Sequence, residues 1–244
     1  MKLSVCYIIE NENNDFFKMS LKSINSIADE IIIIDGGSTD GTLEYLNSLN
    51  DSRIKIINEP YRHTYRGADG YQRNQYLKHA TGDWILVLDA DEIIDDGVSL
   101  LKQYMEGPID VYDVKMIHFF YNFGMVDASF AGQPHYDANY INYVPRRFFR
   151  NKEGLYYAEV EHPVLLGEIK DIGHIDDVII YHLAEVRGQL WTLKKYKNQI
   201  KKSNMHSRQY LDWWKKARLL GEYPIKPITF EEITSSVIKE MILE

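Results

Sequence analysis

Trp84-Ile-Leu-Val-Leu88 is an unbroken apolar run that ends abruptly at Asp89-Ala90-Asp91-Glu92. A run without polar alternation reads as a strand buried on both faces, the kind found inside a parallel sheet. A strand covered on both faces needs helices on each side of its sheet, and this narrows the fold more than any other stretch does. In an extended chain, residues i and i+2 point the same way. Asp89 and Asp91 are therefore expected to project together from the strand end, with Ala90 pointing away. Two carboxylates so placed repel each other unless a cation lies between them. A divalent-metal site is the first reading of this stretch.

The chain before this run repeats the theme. Residues 3–9 read as a buried strand, and Ile31 to Ile34, ending at Asp35, as a second. A helix is predicted from about Asp15, where Phe17, Leu21, Ile24 and Ala28 recur at helical spacing. Gly36-Gly37-Ser38-Thr39-Asp40-Gly41-Thr42 follows the second strand. Ser38, Thr39 or Asp40 can cap the helix that carries Leu43, Leu46 and Leu49. Residues 53–58 alternate as a third strand, and residues 69–80 form a helix closed by Gly82. The β-α-β-α-β-α-β order predicts an α/β fold with an open, mostly parallel central sheet and flanking helices. Ligands of such sheets lie outside the carboxyl ends of the strands. Asp35, Asp89 and Asp91 all fall at such ends.

After Gly107-Pro108 the pattern changes. Residues 111–120 alternate as a strand, and 121–144 form a long loop rich in aromatics and turn formers. A loop of this length in a compact domain is usually functional or mobile. Residues 146–150 and 155–160 are expected to form a hairpin across Asn151 to Gly154, and a strand over 178–182 ends at His182. From about 188 the chain is helical and basic. The expected division is 1–106, 107–186 and a C-terminal helical extension over 187–244.

A formal charge of −8 argues against nucleic acid as partner, since phosphate backbones need a basic surface. The single cysteine, Cys6, allows no disulfide framework and suits a reducing compartment. Glu10 and Glu12 interrupt the apolar start where a signal peptide would continue, and nothing approaches the ~18 consecutive apolar residues of a membrane span. A cytoplasmic location is expected. The basic helices over 188–219 suit packing on the domain or on a second copy of the chain, or docking at the inner face of an anionic membrane.

Taken together, Ile31 to Asp35 with Gly-Gly-Ser-Thr-Asp-Gly-Thr, then Arg73-Asn74, then Gly82-Asp-Trp-Ile-Leu-Val-Leu-Asp-Ala-Asp-Glu92, resemble family 2 glycosyltransferases of the GT-A fold. The resemblance is tight over roughly the first hundred residues and looser to about 186. It implies transfer of a sugar from a nucleoside-diphosphate sugar to an acceptor hydroxyl, with inversion and with Mg²⁺ or Mn²⁺. Asp89-Ala90-Asp91 matches the family's DxD motif, which places Asp91 on the metal and Asp89 near the ribose. The same resemblance puts Asp35, Ile9 and Glu10 on the nucleoside side; Ile9 and Asn11 depart from the small polar residue and Tyr usual there. Arg73 is expected at the diphosphate, with Arg66 as rival, and His182 as a further metal ligand through a neutral imidazole. Inverting transfer needs a base for the acceptor proton. In Ala-Glu159-Val-Glu161-His162-Pro the expected base is Glu161, with His162 and Asp127 as alternatives, and alternation sets Glu159 and Glu161 on one strand face. Phe130, Tyr136 and Tyr140 would then stack on acceptor sugar rings. The acceptor is a glycan, a lipid-linked sugar or a protein.

Other readings fit less well. The glycine loop lacks the Gly-Lys-Ser/Thr of a P-loop, and it follows the second strand rather than the first, unlike a dinucleotide fingerprint. An Asp-x-Asp phosphatase motif would end the first strand, and a nucleotidyltransferase would show a basic loop where Glu10-Asn-Glu-Asn-Asn14 stands. A non-catalytic protein binding nucleotide sugars or glycans is the alternative of a different class.

Overall fold

The computed structural model describes residues 1–65, 67–120, 122–127, 146–160, 163–187 and 225–243. Strands β1 (Leu3–Ile9), β2 (Glu30–Asp35), β3 (Ile54–Asn58) and β4 (Trp84–Val87) alternate with helices α1 (Asp15–Ser23), α2 (Thr42–Ser48) and α3 (Ala68–His79). All four strands run parallel, in the order β4-β1-β2-β3. The apolar runs of β2 and β4 are buried on both faces, every residue of the two strands being buried. One face packs on Phe17, Leu21 and Ile24 of the α1 region, the other on Tyr76 of α3. The parallel arrangement with helices on either side is the one expected.

The rest of the chain widens this sheet. Strand β5 (Glu92–Ile94) leads through a short 3-10 turn to α4 (Leu101–Met105), then to β6 (Val111–Phe120) and β7 (Asn122–Asp127). Strand β8 (Phe148–Arg150) lies between β4 and β6, antiparallel to both. Among the described residues, strands β9 (Tyr156–Tyr157) and β10 (Leu165–Leu166) pair only with each other. Strand β11 (Ile172–His182) runs parallel to β6 and antiparallel to β5. Two parts of the sequence reading need correction here. The expected hairpin of 146–150 with 155–160 does not form, because Phe148 and Phe149 are fully buried and hold β8 inside the main sheet. Glu159 lies in a bend rather than a strand, so strand alternation does not set its direction.

The α2 helix starts differently from expectation as well. Its cap position is Gly41, in the left-handed region at φ 92, where glycine meets no steric penalty. Asp40 still serves the helix start, accepting from Thr42 N–H at 3.1 Å. The described part of the C-terminal extension opens with a strand, β12 (Ile225–Pro227), which adds antiparallel to β7. Helix α5 (Ser236–Leu243) follows, and its Val237 and Ile238 are buried beside Ile93 and Tyr181. Among the described residues, no helix is long and apolar enough to cross a membrane.

Candidate active site

Strand β4 ends at Val87, one residue short of Asp89. Asp89, Ala90 and Asp91 form a turn closed by Glu92 N–H donating to the Asp89 carbonyl at 2.9 Å. The turn sends the two aspartates to different partners. Asp89 lies between two guanidinium groups: Arg73 Nη2 donates to its Oδ1 and Arg147 Nη2 to its Oδ2, each at 2.8 Å. Asp91 instead faces His182, with its Oδ1 3.7 Å from His182 Nε2. The expected repulsion between the pair is thus relieved at Asp89 by two cations of the chain itself.

Each partner is placed by the sheet. Arg73 projects from α3 and is buried, as is Arg147. Arg147 precedes β8, and its carbonyl accepts from Val87 N–H at 2.7 Å, which fixes it beside the β4 end. It also binds the Glu92 carboxylate, whose other oxygen accepts from Asp89 N–H at 2.8 Å. Arg73, Arg147, Asp89 and Glu92 form a formally neutral quartet at the carboxyl end of the sheet. Burial alone would raise the Asp89 pKa; Arg147 and then Arg73 outweigh it and hold the carboxyl well below the usual range. Glu92, 1% exposed, is pushed upward by burial, with Arg147 pulling down and Asp89 and Asp91 pushing further up.

The Asp91–His182 approach follows from strand pairing. Strand β5 runs against the end of β11, setting Glu92 opposite His182, and Leu183 N–H donates to the Asp91 carbonyl at 2.8 Å. On the other side of β11, His182 is in register with His118 of β6. Their Nδ1 atoms are 2.9 Å apart, so one donates a proton that the other accepts. When His182 is the donor, its Nε2 carries the lone pair toward Asp91, which is the tautomer a metal ligand needs. Among the described residues, no three His, Cys, Asp or Glu side chains gather as a complete cation cage. A carboxylate oxygen and an imidazole nitrogen side by side fit part of a divalent-cation site, the remaining positions being left to water and ligand oxygens.

Asp35 is fully buried at the end of β2. Its Oδ2 accepts from Gly37 N–H at 2.9 Å and Ser38 N–H at 3.0 Å, and its Oδ1 from Ser38 Oγ at 2.5 Å. It organises the glycine loop. That loop is tied to the one after β1: Asn11 N–H donates to Ser38 Oγ at 2.8 Å, and Thr39 N–H to Asn11 Oδ1 at 2.8 Å. Ile9 is in the core, and its carbonyl accepts from Gly36 N–H at 2.7 Å. Glu10 meets His63, its Oε1 2.8 Å from Nε2. Asp35, Ile9 and Glu10 thus stand together at neighbouring strand ends. Asp89, Ala90, Asp91, Arg73 and His182 form the second group.

Glu161, its alternative His162, Arg66, Phe130, Tyr136, Tyr140 and the basic helices over 188–219 lie outside the described residues; Asp127 ends β7. Three contributors escaped the sequence reading: Arg147, Glu92 and His118. Arg146-Arg147 just before an apolar pair was a usable signal for the first. The others have none, since Glu92 reads in sequence as a cap for the segment after it and His118 gains meaning only from its cross-strand partner.

A family model described as Glycosyl transferase family 2 matches residues 4–159. Glycosyltransferase GlyG of Streptococcus pneumoniae is 28% identical over 105 residues, which cover 41% of this chain and 32% of that protein. The Escherichia coli UDP-Glc:alpha-D-GlcNAc-diphosphoundecaprenol beta-1,3-glucosyltransferase WfaP is 46% identical over 63 residues, 26% of this chain and 24% of that protein. The chain spans about a quarter to a third of the length of these curated relatives. The crystal structure of S. aureus TarS 1–349 in complex with UDP-GlcNAc shares the fold, with a TM-score of 0.53 at 20% identity over 74% of this chain and 58% of that one.

Proposed function

Because the chain belongs to glycosyl transferase family 2 and has the GT-A fold, we propose that it moves a sugar from a UDP-sugar to an acceptor hydroxyl with inversion. The observation that carries this reading is the convergence at one sheet end of Asp91 with His182 and of Asp89 with Arg73 and Arg147. UDP as carrier is supported by WfaP, whose described donor is UDP-Glc. The acceptor is a hydroxyl on a glycan, a lipid-linked sugar or a protein.

In this reading Asp35 and Glu10, with the Ile9 backbone, bound the nucleoside side. Arg73 and Arg147 keep the Asp89 carboxylate fixed and ionised. Asp91 and His182 would hold a divalent cation, Mn²⁺ or Mg²⁺, which when bound would supply positive charge to stabilise the leaving diphosphate. His118 accepts a hydrogen bond from His182 Nδ1–H and so directs the Nε2 lone pair toward Asp91. The acceptor oxygen attacks the anomeric carbon from the face opposite the diphosphate. Its proton goes to Glu161 and the bonding pair leaves with UDP. Residues 1–106 serve the donor, 107–186 the acceptor, and 187–244 packs on the domain or on a partner surface.

The test is UDP release from UDP-glucose and UDP-N-acetylglucosamine with Mn²⁺, with Mg²⁺ and with chelator. Metal-dependent release that Asp91→Ala removes, while the variant still folds, is expected. UDP binding by the wild-type chain without any release would instead mark a non-catalytic nucleotide-sugar-binding protein.

A further inference from the structure

Gly67, Gly70 and Asn74 recur at spacings of three and four and so share one face at the start of α3. That face is pressed against the chain at 157–159. A Cβ on Gly67 would lie 2.3 Å from the Glu159 carbonyl oxygen, and one on Gly70 would lie 2.3 Å from that of Ala158. Both obstacles are backbone, so no side-chain rotation relieves them. Gly67 has φ −95, so space rather than backbone freedom demands a glycine there. Asn74 completes the grip: its Nδ2 donates to the Tyr157 carbonyl at 3.0 Å, and its Oδ1 accepts from Tyr157 N–H at 2.7 Å. Tyr65 Oη adds a third tie, donating to Glu159 at 2.7 Å.

The next residue to Asn74 is Arg73, which binds Asp89. One rigid helix thus fixes the donor-side carboxylate with one residue and the 157–159 segment with its neighbour. We propose that Gly67, Gly70 and Asn74 are positioning residues that set the distance between the donor site and the chain leading into the acceptor side. The inference rests on the transferase reading, since it is there that 157–159 runs into the acceptor-side base. A displacement of about 1 Å at that point costs turnover steeply, on the order of 100-fold, without touching donor contacts.

The experiment compares wild type, Asn74→Ala, Asn74→Asp and Gly70→Ala. Each is titrated with UDP and Mn²⁺ and assayed for transfer from UDP-glucose or UDP-N-acetylglucosamine to a panel of alkyl mono- and disaccharides. Donor hydrolysis to water and amide hydrogen exchange over 157–160 are followed in parallel. Expected results are faster exchange at 157–160, UDP affinity within about 2-fold of wild type, and transfer reduced about 10- to 100-fold relative to hydrolysis. Asn74→Asp, which keeps the acceptor for Tyr157 N–H, should recover part of the loss. Should Gly70→Ala fail to fold, the two Asn74 variants decide the matter. Undiminished transfer in Asn74→Ala, or equal losses of UDP affinity and transfer, would overturn the inference alone. A wild-type chain that releases no UDP would overturn the transferase reading and this inference with it.

Discussion

Arg147 and Asp89 stand 58 residues apart in the chain, yet Arg147 Nη2 lies 2.8 Å from Asp89 Oδ2. The same guanidinium binds Glu92, so one buried cation serves two carboxylates. Removing it would leave Glu92 buried without its charge partner. Arg147→Met is expected to cost about 3–5 kcal/mol in denaturant unfolding, and the double variant Arg147→Met with Glu92→Leu distinctly less. Equal losses in the single and double variants would remove the ion pair from the account.

His118 reaches the proposed cation only through His182. His118→Ala should raise the apparent Mn²⁺ requirement for UDP release about 10- to 100-fold, the range for loss of a residue that orients a ligand. UDP binding measured without metal should not change. An unaltered Mn²⁺ titration would mean that His182 needs no acceptor on Nδ1, or is no ligand.

Glu30 gives the sheet an acid-sensitive joint. Burial alone would raise its pKa, but the Lys55 ammonium, the Ser4 hydroxyl and the Thr81 N–H and hydroxyl bring it from 4.5 down to about 2. The folded pKa is depressed, so this stabilisation is complete above pH 4.5 and is lost as pH falls toward 2. Its size is on the order of 2–3 kcal/mol. Unfolding free energies measured from pH 6 to pH 2 should fall less steeply in Glu30→Gln than in wild type. Parallel curves would count against the assignment.

Asp35 both folds the glycine loop and stands at the nucleoside side. Asp35→Asn would turn an amide N–H₂ toward donors at Gly37 or Ser38. The expected cost is about 1–3 kcal/mol, read as a lower melting temperature, together with weaker UDP binding. A folded variant with wild-type UDP affinity would confine Asp35 to shaping its loop.

The first half of the fold was legible because strands buried on both faces write themselves as apolar runs. Ile31 to Ile34 and Trp84 to Leu88 admit few other conformations, and their carboxyl ends locate Asp35, Asp89 and Asp91. Pairing was harder to read where strands are short. Phe148 and Phe149 look the same in sequence whether they pair across the Asn151–Gly154 turn or, as they do, with Ile85 and Leu86. The charge balance of the site was also hidden. Asp89 depends on Arg147, and His182 on His118, through contacts that exist only once β8 and β6 have been laid into the sheet.

Strand β12, added against β7 by the C-terminal segment, has a consequence for how this molecule meets its neighbours. It forms the outermost strand at that margin among the described residues. Pro227 offers no N–H, and both it and Lys226 are exposed. A proline and a charge on an outer strand discourage another chain from extending the ladder. Among the described residues, this segment therefore gives the margin of the sheet a short strand carrying a proline and a charge, which hinders pairing with a neighbouring copy.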